Sequence, residues 1–194
     1  MGRHERKSEK AKQIIMGIVI ALLMVLSTFG IIIGNQTDSM RYNGYKFQYS
    51  GNQYVTKING KDMLFYSLPT QSDYINVSSS ISNKIREAYM VLLTFNPGDK
   101  VNIQIIEQVR FDLSQDLNKV VLNGVLNTSA DYSTLSTITC ANATVKTPVI
   151  ILNMTDTTGI IDVDNCIYLN ARGTEFLRMR DRLLYSYYGV IKDE

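Results

Sequence analysis

The feature that most constrains this chain is an uncharged apolar stretch near its start. Residues 14–34 read IIMGIVIALLMVLSTFGIIIG, 21 residues without an ionisable side chain. A helix of that length reaches about 31 Å, and the hydrocarbon core of a bilayer is about 30 Å thick. Because a backbone inside a bilayer must satisfy its own hydrogen bonds, the stretch is expected to be helical. We therefore predict a transmembrane anchor at residues 14–34.

The charges ahead of the anchor predict its orientation. Residues 1–13 carry five basic and two acidic side chains, a net charge of +3. Basic residues beside a span are retained on the cytoplasmic side, so residues 1–13 are predicted to be a cytoplasmic tail. Residues 35–194 are then an extracytoplasmic domain at the cell membrane. A cleaved signal peptide is the alternative, but its apolar region is usually shorter. A pilin-like signal fits less well, because the span contains no early acidic residue.

The remaining 160 residues suffice for one domain with its own core. They contain 15 basic and 16 acidic side chains, a net charge of −1. This balance gives no electrostatic footprint for nucleic acid. The sequence also contains no motif that requires a cofactor. The expected partners are the membrane and another membrane or surface protein.

Both cysteines of the chain, Cys140 and Cys166, fall in this domain. An extracytoplasmic compartment is usually oxidising, so an even number of cysteines favours one disulfide. The alternatives are two buried free thiols or a redox-active pair. A redox pair would be expected to show C-x-x-C spacing or electropositive surroundings, and neither is visible in the sequence.

The domain also contains five N-x-S/T sequons, which are candidate sites of N-glycosylation. Together they agree with an outer location in an organism that glycosylates asparagine, which favours an archaeal or eukaryotic surface. The alternative is that they are polar loop residues that are never modified. The candidate residues are Asn35, Asn76, Asn127, Asn142 and Asn153.

Apolar alternation predicts an antiparallel meander at the start of the domain. After a polar connection at 35–42, strands are expected at 45–49, 54–58 and 63–66, with side chains alternating in polarity. The dipeptide Asn59-Gly60 is a strong signal for a two-residue hairpin, because both residues accept positive φ.

The rest of the domain is predicted to mix helices and strands. Helices are expected at 78–89, 112–125 and 174–188, the last one ending at Gly189. Strands are expected at 91–95, 101–105, 148–152 and 166–169, and the polar stretch 127–139 is the longest expected loop. This order predicts an α+β or mixed α/β fold, with an antiparallel meander, about three helices and a mixed sheet.

The residue content excludes several kinds of catalysis. The single histidine, His4, lies in the tail, so the domain cannot hold a Ser-His-Asp or Cys-His site or a histidine-containing zinc site. Three acids, Asp156, Asp162 and Asp164, are weak candidates for a calcium site, because their spacing is not that of an EF-hand. A Ser–Lys pair remains open, although nothing in the sequence selects one.

Two hypotheses for function follow. The first is a non-catalytic surface interaction or assembly module, in which the loop 127–139 is the first candidate for recognition. The alternative is a histidine-independent, membrane-tethered hydrolase or transferase that uses carboxylates or Ser/Lys. Three arginines of the last predicted helix could bind a phosphate or an acidic partner, although such charges more often form a solvated face. They are Arg178, Arg180 and Arg182.

Overall fold

The computed structural model describes residues 14–27, 39–98 and 100–192. It divides the chain into two compact units, Met1–Asp38 and Ser39–Glu194. In the first unit, residues 14–27 form helix α1. Within the described ranges, no helix combines the length and the apolar character needed to cross a membrane. The tail 1–13 and the end of the predicted span, 28–34, lie outside the described residues, so the anchor stays a prediction.

The second unit begins with a four-stranded antiparallel meander, which confirms the predicted one. Its strands lie in the order β1-β2-β3-β4. Asn59 and Gly60 form the predicted hairpin turn with φ angles of 51° and 84°. The strands are β1 (Ser39–Tyr42), β2 (Tyr45–Ser50), β3 (Gln53–Ile58) and β4 (Lys61–Phe65).

The expected polar connection at 35–42 is wrong over its second half, where β1 lies. A second Asn-Gly turn, Asn43-Gly44, has φ angles of 46° and 85° and folds β1 back onto β2. The residues before this turn therefore pair as a strand despite their polar character. The first half of the connection, 35–38, lies outside the described residues.

The remaining strands form a six-stranded mixed sheet in the order β7-β6-β5-β8-β10-β9. All neighbouring pairs are parallel except β10 with β9. The fold is therefore α+β, with an antiparallel sheet and a mixed sheet. Its remaining elements are α2 (Ser79–Glu87), β5 (Met90–Phe95), α3 (Ile103–Asp116), β6 (Val120–Val125), β7 (Ser136–Thr137), β8 (Val149–Met154), β9 (Gly159–Val163), β10 (Cys166–Ala171) and α4 (Glu175–Tyr188).

Two predicted elements between residues 101 and 125 are wrong. The expected strand 101–105 is the loop and first turn leading into helix α3, and the expected helix 112–125 is the end of α3 followed by β6. Ile106, Val109 and Leu113 are buried at helical spacing, which fixes the face of α3. The β-branched residues that follow pair with β5 as a parallel strand. The alternation of apolar and polar residues therefore did not predict the secondary structure of this segment.

Helix α4 is the centre of the domain, because it is buried nearly throughout its length. It contacts β10, α2 and α3, and it also packs against the meander. The Tyr185 ring stacks on Phe65 at 4.3 Å between centroids and meets Phe47 edge-on at 6.0 Å. The helix ends at Gly189 with φ 73°, as predicted. Arg180 and Arg182 are buried in this packing, so the expected solvated face is wrong for them, whereas Arg178 is exposed.

The helices of the second unit pack on one face of the mixed sheet. The other face is covered by residues 126–147, which include the short strand β7 and which we call the cover segment. Ile138 of this segment packs on Leu92, Val149 and Ile151 of the sheet. A disulfide joins Cys140 of the cover segment to Cys166 of β10 and confirms the predicted pairing; the Cα atoms are 5.7 Å apart. A second apolar cluster is thereby held between the sheet and an irregular segment rather than a helix.

The close approach of the cover segment explains a glycine in β6. A Cβ built on Gly124 would lie 2.7 Å from the Ser136 carbonyl oxygen and 2.6 Å from Ile138 Cγ1. We expect Gly124→Ala to lower the free energy of unfolding by about 1–3 kcal/mol, because the backbone must shift to accept the methyl group. Urea unfolding followed by circular dichroism measures this.

Gly159 offers the matched control, since a Cβ there meets no heavy atom within 4 Å. Gly159→Ala is expected to change the unfolding free energy by less than about 0.5 kcal/mol. An equal loss in both variants would show that the loss reflects glycine in strands generally and not the contact with the cover segment.

Candidate functional site

The three acids proposed for calcium do not converge. Asp156 precedes β9 and pairs with Arg172 at 2.5 Å, and both side chains are exposed. Asp162 lies near the other end of β9 and pairs with Lys84 at 2.5 Å. Asp164 forms the turn after β9 with φ 55°, and its carbonyl accepts a hydrogen bond from Lys84. Within the described part of the chain, no three His, Cys, Asp or Glu side chains are grouped so as to hold a metal ion.

The sequons differ in how accessible they are. Asn76, Asn127 and Asn142 are exposed. Asn153 is half-buried within β8, and its amide donates a hydrogen bond to Asn170 Oδ1 at 2.7 Å. Asn35 lies outside the described residues. Their glycosylation stays a prediction, and Asn153 is the described site whose amide is held inside a sheet.

A buried cluster of charges, which sequence reasoning missed, surrounds Arg180 of α4. Arg180 is 1% exposed. Its Nη1 donates to Asp181 Oδ1 and to the Leu64 carbonyl at 2.7 and 2.8 Å, and its Nη2 donates to Asp116. Its Nε lies 3.9 Å from Asp112 Oδ2. One guanidinium therefore faces three carboxylates from α3 and α4.

Asp181 connects this cluster to the end of the meander. Its Oδ2 accepts hydrogen bonds from Tyr66 N at 2.8 Å, Ser67 N at 2.7 Å and Ser67 Oγ at 2.9 Å. Burial raises the pKa of Asp181 to about 6, while Arg180 and the Ser67 donors oppose that shift. Oδ2 of this carboxylate thus holds α4 to the residues after β4, while Oδ1 accepts from Arg180.

The hydrogen bonds around the cluster connect elements of the fold to one another. Tyr66 OH donates to Asp112 Oδ2 at 2.8 Å, and burial raises the pKa of Tyr66 to about 12. Tyr188 OH donates to the Asp116 carbonyl. The one sequence signal for it is an adjacent Arg180-Asp181 pair inside an otherwise apolar helical pattern. That signal could have indicated a buried ion pair, but not its other partners.

A cleft of about 730 Å³ opens beside this cluster, at the amino ends of β5 and β6, and we call it the amino-end cleft. The β3–β4 hairpin forms its other wall. Lys61 Nζ donates to the Gln115 carbonyl at 3.1 Å, and Lys119 Nζ donates to the Ala88 carbonyl at 2.8 Å. Its carboxylate, Asp116, is bonded to Arg180 and lies 3.6 Å from Lys61 Nζ. The cleft therefore holds two amines and one carboxylate, and all three groups already have partners within the chain.

The first half of β6 is an open sheet edge beside the amino-end cleft. Strand β7 pairs only with Gly124 and Val125 of β6, so residues 120–123 face β5 on one side alone. Val120 and Leu122 point to the face away from the helices and are 60% and 48% exposed. We call residues 120–123 the β6 edge. It combines unpaired backbone groups with exposed apolar side chains.

A serine and a lysine do come together on α2, around Asp162. Ser80 Oγ donates to Asp162 Oδ2 at 3.2 Å, and Lys84 Nζ donates to Asp162 Oδ1. The ammonium of Lys84 is thus occupied by a carboxylate and by the Asp164 carbonyl. This arrangement ties α2 to β9 and leaves the lysine no free amine with which to activate the serine.

Comparison of the chain with protein-family models, with curated proteins and with solved structures gives no match. The function is therefore argued from the geometry of the amino-end cleft and the β6 edge.

The Arg180 cluster predicts a large effect of one substitution. Arg180→Met is expected to lower the free energy of unfolding by about 3–5 kcal/mol, because it leaves buried carboxylates without their cation. Arg178, two residues earlier on α4, is exposed, and its partners Glu175 and Tyr74 also lie near the surface. Arg178→Met is expected to cost less than about 0.5 kcal/mol. Similar losses in both variants by urea unfolding would refute the role assigned to Arg180.

The raised pKa of Asp181 predicts a pH dependence with a definite sign. Between about pH 4 and pH 6 the folded chain retains a proton that the unfolded chain releases, so this group's contribution to stability falls as pH rises. Asp181→Asn removes that titration. The unfolding free energy of the wild type minus that of the variant should therefore decrease from pH 4 to pH 6. A difference that increases over this window would contradict the assignment.

Proposed function

We propose that this chain is a non-catalytic interaction module, tethered at the outer face of a membrane, that binds an extended segment of a partner protein along the β6 edge. The observation that carries the proposal is the open half of β6, with its exposed apolar side chains, lying next to a cationic cleft.

The tether rests on the apolar stretch 14–34 and on the basic tail before it. Residues 14–27 form a helix whose side chains are exposed, which suits an apolar environment. The positive tail favours a cytoplasmic amino terminus. The disulfide between Cys140 and Cys166 suits an oxidising compartment on the other side.

Sheet chemistry supports the partner's extended form. Parallel strands are normally buried on both faces. Residues 120–123 offer backbone N–H and C=O groups on the side away from β5, which an added strand can use. Val120 and Leu122 alternate onto one face of the sheet. A partner strand with apolar side chains at alternate positions would bury them.

Charge in the amino-end cleft supports a further property of the partner. Lys61 and Lys119 line the cleft with one carboxylate, Asp116, which is shared between Arg180 and Lys61, so the cleft keeps an excess of positive charge. Tyr89 is exposed at the same end of the sheet. An acidic side chain or a terminal carboxylate on the partner, placed where β6 begins, would complement these amines.

The hydrolase or transferase alternative gains no comparable support. The residues that line the amino-end cleft include no serine, threonine or cysteine that could act as a nucleophile. The buried carboxylates around Arg180 are bonded within the chain, and Lys84 is held by Asp162. Chemistry at either place would first require those structural contacts to break.

Site-specific photo-cross-linking of the full chain in its native membranes tests the proposal. A photoreactive residue at position 122 is expected to give one discrete adduct with a partner protein. The same residue at position 111 is the control, because Phe111 is 63% exposed on helix α3, whereas Leu122 points to the face of the sheet away from the helices. Equal adducts from both positions would contradict the proposal, as would the absence of any adduct from position 122.

Two substitutions test whether the partner binds along β6 or only lies near position 122. Val120→Asp places a charge on the β6 edge and is expected to reduce the adduct from position 122 at least tenfold. Lys61→Glu is expected to reduce it as well, because it reverses a charge of the cleft. An adduct that persists unchanged in both variants would rule out binding along β6.

A further inference from the structure

We infer that one face of the meander lies on the anionic headgroups of the membrane in which the predicted anchor is embedded. This contact depends on the tether proposed above. Phe47, Met63 and Phe65 point inward and are buried, so the alternate side chains of the same strands point away from the domain. We call the side chains on that side the outer face, and they include Arg41, Lys46, Gln48, Val55, Lys57, Asp62 and Leu64.

Three cations lie side by side across the outer face, and we call them the cationic row. Arg41 of β1 pairs directly with Lys46 of β2. The pairing of Phe47 with Thr56 places Lys57 of β3 in line with Lys46 on the next strand. All three cationic side chains are exposed. Side chains opposite each other on neighbouring strands have Cβ atoms about 5 Å apart, so these like charges repel one another.

The described part of the chain does not neutralise the cationic row. One acid pairs with it there, because Asp62 lies 3.8 Å from Lys57 in an exposed contact. Neither Arg41 nor Lys46 has an ion pair within those residues. Protection of a sheet edge could explain Arg41 alone, since Lys46 and Lys57 belong to the inner strands β2 and β3. An anionic surface outside the chain would relieve the repulsion.

Charge is also segregated along the sequence of the domain. Residues 39–65 carry four basic and one acidic side chain, a net charge of +3. Residues 66–194 carry 11 basic and 14 acidic side chains, a net charge of −3. Basic surfaces beside a membrane span attract anionic headgroups, and such a charge asymmetry is typical of chains that contact a membrane. An anionic membrane would therefore attract the meander and repel the remainder of the domain.

The chain between the predicted span and the meander is short. The span ends at residue 34 and β1 begins at Ser39, so the connecting chain reaches at most about 18 Å. Beside the cationic row, Val55 pairs with Leu64, which is 47% exposed. A surface with an apolar centre and flanking cations suits the boundary between headgroups and water. Position, charge and polarity thus favour the same partner, the lipid surface at the anchor.

Quenching of a fluorophore by lipid tests this contact in the full chain. Gln48 is exposed on the outer face and is replaced by cysteine for labelling, since both native cysteines are joined in a disulfide. The chain is inserted into vesicles of phosphatidylcholine, or of equal parts phosphatidylcholine and phosphatidylglycerol, that contain a nitroxide-headgroup lipid. Quenching at position 48 is expected to be at least threefold stronger in the anionic vesicles and to weaken at high salt. A label at Gln104, exposed on α3, is the matched control and is expected to respond equally to both lipids.

Two pairs of substitutions separate the cationic row from net charge. Arg41→Gln combined with Lys46→Gln is expected to abolish the preference of position 48 for anionic vesicles. Lys100→Gln combined with Lys146→Gln removes the same charge from exposed side chains elsewhere and is expected to preserve that preference. A preference that survives the first pair, or that both pairs abolish equally, would overturn the inference.

Alkaline extraction of the same vesicles tests the anchor separately. A chain that is extracted would overturn the tether and this contact with it. An inserted chain whose positions 48 and 104 are quenched equally in anionic vesicles would overturn the contact alone and leave the tether in place. The photo-cross-link at position 122 reports on the β6 edge and does not depend on either result.

Discussion

The fold depends on one buried guanidinium. Arg180 holds Asp112, Asp116 and Asp181 together, and Asp181 among them is fully buried beside it. Through these contacts α4 is fixed to α3 and to the residues that leave the meander. The apolar contacts of Tyr185 then reinforce the same position. Both sheets are placed by this helix, so charge and hydrophobic packing act on one element.

The position of the helices determines which apolar side chains of the mixed sheet remain exposed. Within the second unit, α2, α3 and α4 lie on one side of the mixed sheet and the cover segment lies on the other. The cover segment protects the middle of that face and stops short of its two margins. Apolar side chains therefore remain exposed at β6 and at β9. The β6 edge, which we assign to binding, results from this incomplete covering.

Local sequence signals predicted the parts of the fold that depend on local chemistry. Alternation and Asn59-Gly60 predicted the last three strands of the meander but not β1, and Gly189 predicted the end of α4. Alternation failed at 101–105, because three apolar residues at every second position also suit the start of a helix. The burial of Arg180 could not be predicted, since it requires a helix covered from two sides. The amino-end cleft could not be predicted from the sequence either, because Lys61 and Lys119 come together only through tertiary packing.

The disulfide that fixes the cover segment can form only at a certain stage of synthesis. Its two cysteines are 26 residues apart, and the strands β8 and β9 are made between them. The bond requires Cys166, the first residue of β10, so it can close only after that residue has been synthesised. Until then the cover segment is held over Leu92, Val149 and Ile151 by packing and hydrogen bonds alone, such as the one that Thr94 Oγ1 donates to the Ile138 carbonyl at 3.0 Å. The maturation of this chain is thereby linked to the redox state of the compartment in which it folds.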